Sequence, residues 1–167
     1  MLKPALAAFA MAAALTVTPA IAACDTIKSR NVGLSACIDD AEWELRAPQG
    51  DQEFLFFSLD QRVGFTVITE QASFTASDFR RAVLVNGMNA NGGKEVQVVS
   101  ERVESVGGRS WNVIEYQLGE PGEELEFQNF YYSQPDFGAV QVVFWSTPGD
   151  ATLAAYRAGV VLSSVGY

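Results

Sequence analysis

The densest group of chemically active side chains in the sequence is acidic. Glu120, Glu123, Glu124 and Glu126 fall within one short segment. Facing carboxylates can serve a glycosidase, and clustered carboxylate oxygens can bind calcium. Here, however, they flank Pro121-Gly122, and acids on both sides of a turn are typical of a solvent-exposed hairpin. We interpret them as a solvated face, with weak calcium binding as the alternative.

Other catalytic groups are scarce. The sequence contains no histidine, which removes the commonest general base at neutral pH and the commonest metal ligand. The glycine pairs Gly92-Gly93 and Gly107-Gly108 belong to turns and form no phosphate-binding motif. We therefore predict no catalytic residue, no cofactor and no metal ion. A hydrolase that works with carboxylates alone, such as a glycan-cleaving enzyme, is the alternative.

The N-terminal segment has the pattern of a cleaved secretory signal. Lys3 precedes an apolar run over 5–17, and Ala20 and Ala22 supply small residues at cleavage spacing. The run is shorter than the roughly 20 residues that a membrane-spanning helix needs. We predict that residues 1–23 are removed and that the protein is periplasmic or secreted.

The charge balance restricts the class of partner. The chain has 11 basic and 20 acidic residues, a formal net charge of −9. An acidic chain without a basic stripe is a poor match for nucleic acid or anionic lipid, because both reward clustered Lys and Arg. Residues 24–167 have the length of one domain and contain no transmembrane segment by sequence. We expect the partner to be a protein of the cell envelope.

The two cysteines, Cys24 and Cys37, offer two readings. In an oxidising compartment an even number of cysteines favours a disulfide. Alternatively, the segment 21–24 is similar to a bacterial lipobox, in which Cys24 is lipidated and anchors an envelope protein. Lipidation would leave Cys37 without a partner. We favour the disulfide.

The remaining pattern predicts strands separated by turns, with two helices. Leu153, Tyr156, Val160 and Val161 share a stripe on a closing helix that begins after Asp150. The first helix covers 76–86, with Phe79, Ala82 and Val83 on one face, and ends at Asn86-Gly87. The predicted strands are 32–38, 43–46, 54–59, 63–70, 96–105, 109–118, 125–132 and 139–146.

These elements predict an α+β fold. The last four strands are joined by short turns, which makes an antiparallel meander. The strand over 140–145 is apolar on both faces, so helices should cover both faces of the sheet in an α/β/α sandwich. Trp145 lies in that strand and Trp111 lies near a hairpin turn. We therefore expect replacement of Trp145 to cost more stability than replacement of Trp111.

Several features occur in a characteristic order. An early strand leads to Trp43, a helix follows the first hairpin, the Gly-Gly turn at 107–108 leads through Trp111 into an apolar strand, and a terminal helix ends over 161–165. In this order they resemble the PsbP/DcrB-like family of photosystem II and bacterial envelope proteins. The resemblance implies an antiparallel sheet between helices, and a binding or accessory role with no shared active site. It assigns no functional residue.

The aromatic residues of one hairpin form the candidate contact surface. Phe130 and Tyr132 point to the same side of their strand, and Phe137 lies in the turn over 135–138. A large apolar ring on a turn favours association unless something covers it. The sequence therefore predicts a non-catalytic, exported envelope protein that acts as a binding or accessory module through Phe130, Tyr132 and Phe137.

Overall fold

The computed structural model describes residues 24–167, so the predicted signal and its cleavage site lie outside the described residues. The elements, in chain order, are β1 (Asp25–Lys28), β2 (Ser35–Ile38), β3 (Trp43–Arg46), β4 (Phe54–Ser58), β5 (Val63–Glu70), α1 (Ala76–Ala90), β6 (Gln97–Val106), β7 (Arg109–Leu118), β8 (Leu125–Gln134), β9 (Gly138–Ser146) and α2 (Ala151–Ser163). No helix in this part of the chain is long and apolar enough to cross a membrane.

The main sheet has seven antiparallel strands in the order β3-β4-β5-β9-β8-β7-β6. The meander β6-β7-β8-β9 was predicted, and its first turn shows why. Gly107 and Gly108 both have positive φ, 60° and 76°, which is the two-residue turn that matches the twist of a hairpin. The β4–β5 hairpin joins the meander where β5 pairs with β9, with Phe65 opposite Phe144. The fold is therefore α+β, as predicted.

A separate two-stranded ribbon precedes the main sheet. The sequence predicts one strand over 32–38, but only Ser35–Ile38 is extended, and it pairs with Asp25–Lys28. The sequence does not predict β1, because three of its four residues are exposed to solvent and it therefore has no run of apolar residues. Cys37 lies on the exposed side of β2 rather than in the core. The ribbon brings Cys24 and Cys37 to disulfide distance, with their Cα atoms 5.4 Å apart.

The closing helix buries a different stripe from the predicted one. Tyr156 and Val160 are 70% and 50% exposed, so the predicted stripe is wrong for these two residues. The buried residues of α2 are Ala154, Arg157, Ala158, Val161 and Leu162. Alanines on the inner face allow the helix axis to approach a sheet that already carries Trp and Phe side chains. Small residues, which carry little hydrophobic signal, therefore mark the true face.

The first helix is longer than predicted and rotated slightly. It continues past Asn86 to Ala90, and Ala82 is exposed while Phe79 and Val83 are buried. Gly87 does not end the helix. A Cβ at Gly87 would lie 3.1 Å from Val96 and 3.5 Å from Tyr116, so the glycine serves close packing of the helix on the sheet.

The helices contact opposite faces of the sheet. Helix α2 packs in one cluster with Val113 and Phe130, whereas α1 packs in another with Ile114 and Tyr131. Adjacent residues of a strand point to opposite faces. Helix α1 mainly contacts β7 and β8, and Trp145, on the same face of β9, keeps part of its surface exposed. Full helical cover of both faces is therefore not confirmed.

A buried arginine ties α2 to the sheet. Arg157 is only 9% exposed. Its Nε donates to Glu42 at 2.6 Å, and its two Nη atoms donate to Asp60 at 3.1 and 3.0 Å. The hydrogen bonds from Arg157 and from Ser58 hold the pKa of Asp60 well below its usual range. The carboxylates of Glu42 and Asp60 therefore compensate the buried charge.

We expect Arg157→Met to lower the free energy of unfolding by about 2 kcal/mol, less than for a fully buried pair because Glu42 and Asp60 keep 31% and 39% of their side chains exposed. A carboxyl whose folded pKa is depressed stabilises the fold above its unfolded pKa, about 3.9, and loses that contribution as pH falls. The variant should therefore lose less stability than the wild type as the pH falls from about 5 to about 2, the range in which carboxyl groups become protonated.

Urea unfolding at a series of pH values measures this difference. The control is Arg62→Met, because the Arg62 side chain is 53% exposed, against 11% for Arg157. Loss of an ion pair from an exposed arginine should change the stability little. Equal acid sensitivity of Arg157→Met and the wild type would contradict the role of the Arg157–Asp60 pair.

Candidate partner-contact surface

Three separate parts of the chain meet at one end of the sheet. Arg109 begins β7 directly after the Gly-Gly turn, and Tyr132 and Phe137 lie at the end of β8 and in the β8–β9 turn. Residues 166–167 lie at this end of the sheet because Gly166 exchanges two backbone hydrogen bonds with Ser35, at 2.8 and 2.9 Å. This places Tyr167 against the other three. We call Arg109, Tyr132, Phe137 and Tyr167 the aromatic–arginine cluster.

The cluster is closely packed. The Cζ atom of Arg109 lies 3.4 Å from the ring centre of Tyr167 and 4.9 Å from that of Tyr132. The rings of Phe137 and Tyr167 meet edge to face with their centres 4.2 Å apart. Tyr132 and Phe137 are also edge to face, at 5.9 Å. The guanidinium is thus held on aromatic faces, a geometry that stabilises the cation.

The predicted surface residues fall into two groups. Phe130 is 3% exposed and packs edge to face on Phe144 at 6.1 Å, so it belongs to the core. Tyr132 and Phe137 are half-buried, and the chain's own Tyr167 covers part of Phe137. The ring on the turn is therefore partly covered within the domain.

Sequence reasoning missed Arg109 and Tyr167. Arg109 and Tyr167 are both distant in sequence from Tyr132, so no local pattern joins them. The only signal is indirect: an arginine that starts a strand after a Gly-Gly turn lies at a hairpin end, where neighbouring turns also lie. The Ser35–Gly166 bridge that positions Tyr167 has no sequence signature.

The electrostatics of the cluster are unusual for this acidic chain. Within residues 24–167, Arg109 has no carboxylate within 4.0 Å, and the same is true of Lys28 and Arg30, whereas the other six arginines each have one. Of these three unpaired cations, Arg109 is the one held on aromatic rings. Burial raises the pKa of Tyr167 to about 12, although the charge of Arg109 opposes the shift. Tyr167 therefore stays a neutral phenol at physiological pH. The surface offers an uncompensated cation framed by aromatic rings.

The acidic residues form no comparable site. No carboxylate within residues 24–167 is buried, and no group of three or more acids and cysteines in this range could hold a metal ion. Glu120 pairs with Lys94, and Glu126 accepts a hydrogen bond from Gln117. Around Pro121-Gly122, Glu120 and Glu123 are exposed and Glu124 and Glu126 are half-buried, which fits a hairpin with acids on its solvated side.

One polar cavity of about 420 Å³ contains two acids. Asp51 and Glu70 line it together with Asn31, Ile68 and Thr69. Both acids are exposed. A catalytic acid usually needs apolar surroundings that raise its pKa toward neutrality. The cavity therefore gives no specific support to the hydrolase alternative.

Comparisons with known proteins identify the fold. No protein-family model matches the sequence, and no curated protein matches it significantly. Cyanobacterial PsbP (CyanoP) from Synechocystis sp. PCC 6803, solved in solution, has a TM-score of 0.61 and 14% identity, and the match covers 93% of this chain and 98% of that one.

A second structure shares part of the architecture. A crystal structure from Bacteroides thetaiotaomicron VPI-5482 has a TM-score of 0.52 and 14% identity over 80% of this chain, but the match spans only 44% of that chain. The whole-length similarity to cyanobacterial PsbP confirms the predicted resemblance at the level of the fold. The chain has the PsbP-like fold.

Proposed function

We propose that this protein is an exported, non-catalytic binding or accessory protein of the cell envelope, and that the aromatic–arginine cluster is its contact surface. The uncompensated charge of Arg109 on two tyrosine rings carries the proposal. Tyr and Arg are among the residues that contribute most to protein interfaces. The rest of the chain is acidic, so a partner that binds at this end must not be repelled by the negative charge of the surrounding surface.

The chemistry of the cluster describes the partner. Arg109 can donate two parallel hydrogen bonds to a carboxylate, and the edges of Tyr132, Phe137 and Tyr167 can contact an apolar side chain beside it. We therefore infer a protein partner that presents an Asp, a Glu or a C-terminal carboxylate next to an aromatic or aliphatic residue. The hydroxyls of Tyr132 and Tyr167 can supply further hydrogen bonds to such a partner.

The cysteines support an extracytoplasmic location. With the two sulfurs of Cys24 and Cys37 at bonding distance, the pair suits an oxidising compartment. A sulfur that forms this bridge is not free to carry a thioether-linked lipid. The disulfide therefore favours a periplasmic or secreted protein over the lipid-anchored alternative.

The test compares two arginine variants in equilibrium binding. The oxidised chain is immobilised and proteins from the native envelope are captured, identified and titrated. We expect Arg109→Gln to weaken binding of the main captured protein by about tenfold or more, because the charge-assisted contact is lost. The control is Arg46→Gln, since Arg46 is exposed but already paired with Glu44.

Equal binding by both variants would refute the cluster as the contact surface. A different result would refute the binding role itself. If the purified chain turned over a glycan, ester or peptide library, and one Asp or Glu substitution abolished the turnover, the carboxylate hydrolase would replace it.

A further inference from the structure

Strand β6 is an open edge of the main sheet, and exposed apolar side chains gather around it. Twelve large apolar side chains are exposed within residues 24–167, and seven of them lie on β6 or on the sides of α1 and α2 that border it. They are Val85, Met88, Val98, Val99, Val103, Tyr156 and Val160. Val103 is 68% exposed. An apolar rim of this kind around a free strand favours association.

The part of β6 that can pair with another strand is well defined. The register with β7 shifts between Val98 and Ser100, which marks a bulge, and the Gly-Gly turn begins after Val106. The regular segment is therefore 100–106, and Val103 is its midpoint. In a hairpin with a two-residue turn, Val106 and Arg109 form the hydrogen-bonded closing pair.

Hydrogen-bonded and non-hydrogen-bonded pairs alternate along an antiparallel ladder. Counting back from Val106, the backbone amides and carbonyls of Glu101, Val103 and Ser105 point away from β7. These groups are free to pair with a further strand.

We propose that the β6 edge docks a second copy of this chain, so that the two sheets continue across a two-fold axis at Val103. In this antiparallel register Val103 lies opposite Val103 of the second copy. Arg102 lies opposite Glu104 of the second copy, and the same pair recurs on the other side of the axis. Ser100 lies opposite Val106. An antiparallel arrangement of this kind is an isologous contact.

The charge order of β6 selects this register. If the axis passed through Arg102, two arginines would face each other, and an axis at Glu101 or Glu104 would place two glutamates together. Like charges directly opposite destabilise a strand pair, whereas opposite charges stabilise it. An axis at Val103 places Arg102 and Glu104 each opposite a residue of opposite charge, and it is the one of these axes that is also centred on the regular segment 100–106. The sequence of β6 is complementary to itself, which favours a second copy over an unrelated strand.

Side chains on both faces would cover the junction. Val103 shares its face with Glu101, which pairs with Arg80 of α1. Glu104 and Val106 lie on the other face, beside Tyr156 and Val160 of α2. Tyr156 and Val160, the two large apolar side chains that α2 exposes, therefore flank the junction, which explains why this apolar pair lies on the outer side of the helix.

Sedimentation equilibrium of the oxidised protein tests the proposal. We expect the wild type to be a dimer at high concentration, and Val103→Lys to raise the dimer dissociation constant by about tenfold or more, because it replaces an apolar pair by two like charges at the axis. The matched control is Leu45→Lys. Leu45 is 59% exposed on the opposite edge strand, β3. It also lies between an acid and a base, Glu44 and Arg46, in the reverse order to Arg102 and Glu104, but its strand has only four residues.

A charge exchange tests the register. Glu104→Arg alone should weaken the dimer, and Arg102→Glu/Glu104→Arg should restore it, because the opposite charges face each other again. Melting temperatures of Val103→Lys and Leu45→Lys should stay close to the wild type, since both side chains are exposed. Arg102 also pairs with Glu104 and Glu115 of its own chain, so the dimer constants of the charge-exchange variants are compared at a temperature at which all of them are folded. A wild type that stays monomeric up to about 1 mM, the limit of weak specific association, would overturn the proposal. Loss of the dimer in Leu45→Lys but not in Val103→Lys would overturn it as well.

Discussion

Trp111→Ala should lower the free energy of unfolding by about 4 kcal/mol, the largest loss that we expect from any single substitution in this chain. Trp111 is completely buried, in the same cluster as Val113 and the inner face of α2. Its ring centre lies 6.2 Å from that of Tyr132. Truncation leaves a cavity between a helix and the sheet that neither can readily fill. Urea unfolding, with an unchanged dependence on denaturant, measures the loss.

Trp145→Ala should cost clearly less, about 1–2 kcal/mol, because that side chain is only partly buried. Its ring lies against Gly64, where a Cβ would come within 2.3 Å of it, and meets Phe57 edge to face at 5.6 Å. The sequence predicts the reverse order of the two losses. Because β9 is apolar on both faces, its sequence does not show which face is covered completely. Trp145 points to the face that α1 covers incompletely. A larger loss for Trp145→Ala than for Trp111→Ala would contradict the deeper burial of Trp111.

Trp111→Phe distinguishes the contribution of the apolar ring to stability from that of the polar indole N–H. The Nε1 of Trp111 is buried and has no hydrogen-bond partner within residues 24–167. Phenylalanine removes this unpaired donor while keeping most of the apolar volume, and a buried donor without a partner costs about 1–3 kcal/mol. We therefore expect Trp111→Phe to recover most of the stability that Trp111→Ala loses.

Reduction of the Cys24–Cys37 bridge should lower the free energy of unfolding by about 3 kcal/mol, the value for a closed loop of this length. The bridge joins the N-terminal end of the β1–β2 ribbon to β2. The ribbon in turn contributes Ala36 and Ile38 to the core that α2 covers. Urea unfolding with and without reductant measures the effect, and Cys24→Ser/Cys37→Ser should be insensitive to reductant.

Protein isolated from its native host shows whether the N-terminal segment has been cleaved and whether the cysteines are joined. Alkylation without reductant should label neither cysteine, and the intact mass should correspond to a chain that begins near Cys24. A mass that retains residues 1–23 would contradict export. An added acyl mass on Cys24 would instead support the lipid-anchored alternative, and two labelled thiols would contradict the bridge.

Much of the sheet could be predicted because turns and strands carry local signals. The bounds of β3, β5 and β7 follow from turn residues and from β-branched or aromatic runs, and the structure has the predicted limits. The Gly-Gly turn leaves one choice of register for the β6–β7 hairpin near the turn. The PsbP-like fold follows from the order of these elements, although sequence identity to its structural relatives is low.

The helix faces and the candidate surface could not be predicted in the same way. The inner face of α2 consists of Ala154, Ala158 and a charged Arg157, whose burial depends on distant Glu42 and Asp60. Similarly, Arg109 and Tyr167 meet only because the C-terminus pairs with β2. Both features depend on contacts between segments that are far apart in sequence, and such contacts have no periodicity.

Site-specific photo-crosslinking in the native host tests the contact surface most directly. A photoreactive phenylalanine derivative replaces Tyr167 in one strain and Tyr156 in another, since both are exposed tyrosines, at 44% and 70%, on different surfaces. We expect position 167 to form an adduct with a different envelope protein, whereas position 156 should form an adduct only with a second copy of this chain. An adduct with another protein from position 156 and none from position 167 would contradict the aromatic–arginine cluster as the contact surface.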